Sequence, residues 1–388
     1  MRLEPVDGGD ARAVLRGLRG AVLGAGPAIA LGGSGHPGDV PPGTAVVVTT
    51  SGSTGYPKAV ALSRSALTSS ALATADRLGA GAWLLALPAG YIAGVQVLVR
   101  SLVAGREPAI LAGSFSAHAF AAAAGAMASS AGGVRVPTFT SLVPAQLQTL
   151  LDAEDAGVRT GLSSFEAVLV GGQAIAPSLV ARAAAAGVRV VRTYGSSETS
   201  GGCVYDGIPL DGVGVRIVDG EVQVSGPTLA DGYLGDPERT AEAFVRDDDG
   251  TRWYRTGDAG EFDGVLRVTG RRDNVIVSGG INVSLDRVEQ VVRTLPGMAG
   301  AVVVGVPDER WGEASVVAVS GDLSAEAVAA LRRDVRTAVA EALGAPARPR
   351  GILALPKLPL LSSGKPDRRA LRGIAEHAAQ QATEKGGQ

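Results

Sequence analysis

"VVVTTSGSTGYPKAV", residues Val46–Val60, joins a β-branched apolar run to small hydroxylated residues and glycines that close on one cation. Val46–Thr49 reads as a strand, because β-branched side chains fit a pleated, half-buried surface. Beyond it, Gly52 and Gly55 free the backbone to aim successive N–H groups at one point. Ser51, Ser53 and Thr54 add hydroxyl donors and Lys58 adds charge. Such a set suits an anion, phosphate first. The spacing is not G-x-x-x-x-G-K-[ST], since no Ser or Thr follows Lys58 and no second Gly stands directly before it. A flexible, solvated turn accounts for the same letters, and both readings stand at this point.

Further β-branched runs at Trp83–Leu87, Val168–Val170 and Val188–Val191 alternate with helical stretches such as "AHAFAAAAGAMASSA" and "PAQLQTLLDA". Strands separated by helices predict parallel α/β units. The Ala-rich run is low in complexity, but Ala is the best helix former, so it reads as helix. Ala82–Val99 carries no charge and nominally reaches the length of a membrane span. Pro88, Gly90 and Gly94 interrupt it, so it reads as strand, turn and core helix, with no membrane span. From Val213 onward, short strands punctuated by Asp-Gly and Gly-Gly suggest a hairpin-rich sheet. After Gly279 a helix is expected at Ser284–Leu295, then strands at Ala301–Val306 and Ser315–Ser320. A helix over Ala325–Leu343 would repeat Leu331, Val335, Val339 and Leu343 along one face. A domain boundary falls near Arg272–Asn274, dividing 1–272 from 273–388. The expected fold is α/β: a large N-terminal domain of mixed, largely parallel sheets with helices and a small β-rich subdomain, plus a small mobile α+β C-terminal domain.

At 388 residues the chain can bury a large core, and a net charge of −2 gives no reason to expect nucleic acid as a partner. One cysteine, Cys203, allows no internal disulfide and no cysteine-based zinc site. The first residues lack the apolar segment of a signal peptide, so a cytoplasmic setting is expected. The oligomeric state, homodimer included, stays open.

Three further motifs carry chemistry. "TYGSSETSGG", Thr193–Gly202, sets Tyr194, Gly195, three hydroxyls and Glu198 close together. An acid among phosphate-type donors makes sense if Mg²⁺ lies between it and the phosphates. A helix N-cap at Ser196 or Ser197 is the plainer reading. In "WYRTGDAGEF", Asp258 is placed in a tight turn after a strand, where it suits a ribose diol or simply the turn. In "LPLLSSGKPDRRAL", Lys365 follows a Ser-Ser-Gly turn and precedes Pro366, which can open a helix; a solvated surface lysine is the alternative.

In this order the four motifs resemble the adenylate-forming enzymes: acyl-CoA synthetases, luciferases and nonribosomal adenylation domains. The resemblance runs from about Val46 to Leu371 and includes "GGQAIAP", "VSGPTLADGYLGDPERTAEAF" and "GRRDNVIVSGGINVSLDRVE". Within that group, "TSLVPAQLQTLL", "SETSGGCVYDGIPLDGV" and a short N-terminal part are similar to the o-succinylbenzoate–CoA ligase family of menaquinone biosynthesis. The resemblance implies ATP, Mg²⁺ and coenzyme A, and a small-molecule carboxylate converted to an acyl-adenylate and then a thioester. It places pyrophosphate against Ser51–Lys58, adenine along Gly172 and Gln173 under Tyr194 and Gly195, and the α-phosphate at Thr199. Glu198 would hold Mg²⁺, Asp258 the ribose hydroxyls with Arg271 nearby, and Lys365 the reacting carboxylate. Asp273 aligns with the hinge, and Ser278, Gly279 and Gly280 with the pantetheine tunnel. For the acyl group it points to Ser200, Gly201, Gly202, Thr140 and Ser141. Tyr91 is either a gate or a core aromatic. Other aryl- or acyl-CoA ligases and a freestanding enzyme loading a carrier protein remain alternatives. A nucleotide-binding protein without catalysis has no need of Lys365.

Overall fold

The computed structural model describes residues 2–24, 26–32, 40–51, 57–127, 130–361 and 364–386. Two compact units result. One comprises Met1–Ile175, Val180–Thr256 and Glu261–Arg267; the other comprises Ala176–Leu179, Gly257–Gly260 and Val268–Gln388.

In the larger unit a seven-stranded sheet runs in the order Ile208–Pro209, Gly201–Tyr205, Val190–Ser196, Ala167–Val170, Thr138–Leu142, Ala82–Leu85, Ala109–Ile110. From Val190–Ser196 to Ala109–Ile110 every neighbouring pair is parallel. The three strands in the middle are buried at every position, as expected for a parallel sheet covered on both faces. The charge-free stretch becomes the strand Ala82–Leu85, a turn, and the helix Ile92–Val103. Gly94 permits that tight entry, since a Cβ there would lie 2.2 Å from the Pro88 carbonyl oxygen. Among the described residues no helix is long and apolar enough to cross a membrane.

A second sheet orders Leu3–Val6, Ala28–Leu31, Thr44–Ser51, Pro57–Ser63 and Gly232–Tyr233. Thr44–Ser51 and Pro57–Ser63 pair antiparallel, so the candidate phosphate stretch joins two strands of a hairpin rather than a strand and a helix. A third, antiparallel sheet holds Gly214–Val218, Glu221–Ser225, Arg252–Phe262, Phe244–Arg246 and Leu266–Arg271. Its Asp219-Gly220 corner has positive φ at both residues, as an Asp-Gly hairpin requires.

The smaller unit packs helices on the sheet Ile281–Ser284, Val275–Ser278, Gly312–Ser320, Val302–Asp308, with Gly351–Leu355 added beside Gly312–Ser320. The expected helix Ala325–Leu343 forms over that span. Val335 and Val339 are fully buried against Val288 and Val292, with Leu331 and Leu343 at the margin.

Several expectations change in extent: the strands expected at Ala301–Val306 and Ser315–Ser320, for instance, run Val302–Asp308 and Gly312–Ser320. The Ala-rich helix stops at Gly125, and Ser130–Ala131 pairs with Val134–Arg135 around Gly132-Gly133. The strand expected at Val188–Val191 instead runs Val190–Ser196, because its far end pairs with the returning strand Gly201–Tyr205. The helix expected at Ser284–Leu295 covers Leu285–Val292, with Ser284 capping it.

Val339→Ala should remove buried contacts that the neighbouring helices cannot fully close over. A loss of about 1.5–3 kcal/mol is expected. Hydrogen exchange followed by mass spectrometry should show faster exchange across 325–343, with exchange in 138–170 unchanged.

Candidate active site

The carboxyl end of Val190–Ser196 turns back at once into Gly201–Tyr205 through the 3₁₀ turn Ser197–Thr199. Such a reversal needs bare backbone. A Cβ on Gly195 would lie 2.0 Å from the Gly201 carbonyl oxygen. The pairing shifts register between Tyr194 and Gly195, which leaves Cys203 bulged and buried. The Ser196 N–H donates to Thr199 Oγ1 at 2.9 Å, and the Thr199 hydroxyl donates to the Gly201 carbonyl at 2.7 Å. Ser200 adopts φ 54°, and its hydroxyl donates to the Thr228 carbonyl at 2.8 Å. Ser196 stands at the N-cap position, but its hydroxyl makes no cap hydrogen bond; Thr199 instead reaches back to the Ser196 N–H, and the element is one 3₁₀ turn rather than an α-helix.

Glu198 is only 7% exposed. The Tyr233 hydroxyl donates to its Oε1 at 3.0 Å, and the Ala230 N–H donates to its main-chain carbonyl at 2.8 Å. No basic side chain among the described residues pairs with it. Burial, then the nearby Glu198 charge, pushes the Tyr233 phenol well above its usual range. Burial likewise raises Tyr254. Tyr233 therefore stays protonated as the donor. Lys58, paired with Thr50 across the hairpin, sets its Nζ 5.3 Å from the centroid of the same Tyr233 ring. Ser51 ends its strand, while Gly52, Ser53, Thr54 and Gly55 lie outside the described residues.

No cluster of three or more His, Cys, Asp or Glu suited to a metal occurs among the described residues. Glu198 alone does not make a dedicated metal cage. A single buried carboxylate without a cationic partner does fit Mg²⁺ that arrives with phosphate oxygens and keeps its waters.

Gly172 and Gln173 follow the carboxyl end of Ala167–Val170, beside the parallel strand that carries Tyr194. That edge is where open α/β sheets bind ligands. Gly171 is pressed there against Thr193, 2.3 Å from a would-be Cβ. Thr140 is fully buried and its hydroxyl donates to the Leu84 carbonyl at 3.0 Å, so that group is engaged within the sheet. Ser141 is buried on the same strand. Tyr91 is half-buried at the start of Ile92–Val103.

Two polar residues of that helix escaped the sequence reading. Ile92, Gln96 and Arg100 recur one turn apart, and Gly201 sits against Gln96 and Ile92. Arg100 is 6% exposed, donates to the Tyr205 hydroxyl at 3.0 Å, and lies 4.9 Å from the Trp83 ring centroid. No carboxylate among the described residues pairs with it. Its Nε and the Gln96 Oε1 are buried without a hydrogen-bond partner. The available signal was a Gln and an Arg at i, i+4 in a helix that is apolar apart from Ser101. Tyr233 was also missed.

The smaller unit holds the remaining candidates. Asp258 lies inside the strand Arg252–Phe262, not in a tight turn; Gly257, at φ 70°, bends that strand without ending it. Arg271 donates from Nη1 to Asp258 Oδ1 at 3.3 Å, and from Nε and Nη2 to the two carboxylate oxygens of Asp273 at 3.0 Å each. Ser278 is buried at the end of Val275–Ser278, and Gly279 and Gly280 make the positive-φ turn to Ile281. Lys365 is exposed, and its carbonyl accepts from the Leu361 N–H at 2.8 Å.

Residues 33–262 match the family model described as AMP-binding enzyme, and residues 287–365 match AMP-binding enzyme C-terminal domain. A probable 2-succinylbenzoate–CoA ligase of Mycobacterium tuberculosis is 42% identical over 339 residues, covering 84% of this chain and 83% of its own length. The amide bond synthetase McbA from Marinactinospora thermotolerans has a similar structure, with a TM-score of 0.72 at 28% identity over 96% of this chain and 80% of that one. The o-succinylbenzoate CoA synthetase from Bacillus subtilis, in complex with the acyl-adenylate intermediate OSB-AMP, has a TM-score of 0.66 at 28% identity, covering 85% and 69%.

Burial pushes the Cys203 thiol up to about 12, against an opposing hydrogen bond with Thr199. Because only the thiolate attacks, the native protein at pH 8 should leave Cys203 unlabelled by a disulfide reagent. Labelling should appear on unfolding. Rapid labelling of the native protein would mean that the turn carrying Glu198 opens readily.

Proposed function

The chain belongs to the AMP-binding enzyme family, and we propose that it adenylates o-succinylbenzoate with ATP and passes the acyl group to coenzyme A. The products are o-succinylbenzoyl-CoA, AMP and pyrophosphate, as menaquinone biosynthesis requires. The 42% identity to a probable 2-succinylbenzoate–CoA ligase supports this reading. The single observation that carries the acyl specificity is Arg100. A buried guanidinium without a carboxylate is costly unless a ligand supplies one. o-Succinylbenzoate has two carboxylates: the aliphatic one reacts, and the aromatic one remains free to meet Arg100 near Gly201 and Gly202.

In the first step a carboxylate oxygen attacks the α-phosphorus, and pyrophosphate leaves with the electron pair of the broken P–O bond. Ser51–Lys58 would cradle the departing phosphates, with Gly52, Ser53, Thr54 and Gly55 as donors. Thr199 would face the α-phosphate, Gly172 and Gln173 the adenine, and Tyr194 and Gly195 its other side. Asp258, with Arg271 beside it, would take the ribose hydroxyls. Glu198 would hold Mg²⁺, which on binding with ATP spreads the phosphate charge. Lys365 would stand between carboxylate and α-phosphate, two anions that otherwise repel. In the second step the CoA sulfur attacks the acyl carbon, AMP departs, and the thiol proton passes to solvent. We place the thiol path at Ser278, Gly279 and Gly280, and the pivot that removes Lys365 at Asp273. A cytoplasmic location follows from the need for ATP and CoA. A homodimer is compatible with this scheme.

With Mg-ATP and CoA, o-succinylbenzoate should be converted far faster than benzoate or a medium-chain fatty acid, as read by pyrophosphate release and thioester yield. 4-Oxo-4-phenylbutanoate, which lacks the aromatic carboxylate, should be poorer by about 10–100-fold in kcat/KM, the worth of one charge-assisted hydrogen bond. Arg100→Met should erase most of that difference. Equal use of all these acids by the parent protein would overturn the substrate assignment and leave adenylation intact.

Lys365→Ala should slow pyrophosphate release by about 10²–10³-fold, while CoA attack on supplied acyl-adenylate changes much less. A parallel fall in both half-reactions would remove Lys365 from the first step specifically.

A further inference from the structure

Tyr233 lies in "VSGPTLADGYLGDPERTAEAF", a stretch that carries the resemblance but has no chemical role among the four motifs, and it touches two of those motifs. Its hydroxyl donates to Glu198 Oε1 at 3.0 Å, and its ring lies under Lys58 Nζ at 5.3 Å from the centroid. Neither contact is a loose surface encounter. Tyr233 is buried, and its short strand pairs with Pro57–Ser63, Tyr233 opposite Val60 and Gly232 opposite Ala61. Its N–H donates to Thr240 Oγ1 at 2.9 Å. Gly232, at φ 148°, packs so closely on Thr240 that a Cβ would lie 2.4 Å from its methyl group. Two residues earlier, Ala230 donates its N–H to the Glu198 carbonyl, and the Thr228 carbonyl accepts from Ser200. Thr228–Tyr233 therefore ties the turn bearing Glu198 to the strand bearing Lys58.

We propose that Tyr233 is a positioning residue for Mg-ATP: its phenol fixes the Glu198 carboxylate toward the metal while its ring holds Lys58 toward the phosphates. The proposal rests on the reading of Glu198 as the carboxylate that faces Mg-ATP. The physical logic is one of preorganisation. A carboxylate held by a neutral donor keeps its full negative charge for a cation, whereas a lysine or arginine in place of Tyr233 would neutralise it. The donor is also rigid, because a phenol has only two side-chain torsions and its backbone is pinned at both ends. A ring beneath Lys58 attracts the ammonium group without consuming its hydrogen-bond donors.

The test is calorimetric titration of ATP into the full chain without acyl substrate, once with EDTA and once with Mg²⁺. The parent protein should bind ATP more tightly with Mg²⁺. Tyr233→Phe keeps the ring and loses the hydroxyl, so it should lose about tenfold of that metal-dependent gain while its metal-free affinity holds. Tyr233→Leu loses the ring as well and should weaken metal-free binding by a further 2–5-fold through Lys58. Glu198→Gln should abolish the metal-dependent gain, and adding Tyr233→Phe to it should change nothing more. A structural role alone predicts the opposite: additive losses, equal with and without Mg²⁺, accompanied by a lower melting temperature. That pattern, or an unchanged Tyr233→Phe protein, overturns the role of Tyr233. A parent protein with no metal-dependent gain overturns the reading of Glu198 and this proposal with it.

Discussion

A buried carboxylate that pairs with no cation among the described residues shapes the contacts around it in the larger unit. Glu198 is withdrawn from water, and among the described residues one phenol serves its side chain. Burying an ionised group costs several kcal/mol unless donors replace water, so the donor has to be fixed. Tyr233 meets that need because the sheet holds its backbone opposite Val60. The segment that delivers it also satisfies Ser200 and the Glu198 carbonyl. Without the segment Ala230–Tyr233, Glu198 would lose its side-chain and main-chain donors together.

The two candidate phosphate-facing motifs stand on different sheets, and the segment Thr228–Tyr233 links them. The turn with Glu198 ends a parallel sheet, at the edge where loops are free to meet a ligand. Lys58 belongs to a hairpin of the other sheet. The strand that follows the glycine-rich stretch, Pro57–Ser63, places no helix N-terminus there, so fixed positive charge has to come from a side chain. Lys58, lying over an aromatic ring and in no ion pair among the described residues, is suited to that task. Glycines make the join possible, since both Gly195 and Gly94 sit where any side chain would strike a carbonyl.

How much of this was legible depended on the range of the interaction. Ala325–Leu343 was readable to the residue, because a helix writes its buried face every three to four residues and Leu331, Val335, Val339 and Leu343 do so plainly. Strand limits were less clear: nothing local says that Val190–Ser196 continues through Tyr194 and Gly195, because its partner Gly201–Tyr205 decides that. Asp258 was misplaced into a turn for a related reason. Turn-favouring residues flank it, yet pairing with Leu266–Arg271 keeps the strand intact. The four motifs pointed to the right family, but Tyr233 could not be found from them. Its partner is 35 residues away, and the stretch around it, though part of the resemblance, offers no chemical group beside Gly232 and Leu234 that points to Glu198. Arg100 was findable, since a cation on a buried helix face is conspicuous once the face is drawn.

In the smaller unit, the exposed Lys365 lies beside a well-bonded anchor. The loop with Lys365 is closed by Leu361 donating to its carbonyl and by Asp367 donating to the Pro359 carbonyl. Immediately after it, Arg368 donates to Glu289 Oε2 and to the Val303 carbonyl, both at 2.7 Å. Glu289 is buried, accepts from the Val303 N–H and pairs with Arg293 through its other oxygen. Removing Arg368 would leave that carboxylate short of a donor where water cannot easily replace it, so the anchor is costly to break. Asp286, on the same helix as Glu289, accepts from the Arg271 N–H and from Asn274, and so grips the chain on both sides of Asp273. One helix, Leu285–Val292, thus secures both the lysine loop and the flanks of the candidate pivot. Electrostatic stabilisation works only if the charge is already in place when the reaction needs it. A lysine on a loose tail would spend its attraction on being ordered. For the role proposed for Lys365, the relevant anchor is Arg368, three residues on, whose bonds to Glu289 and Val303 tie the following chain to the frame around the helix Leu285–Val292.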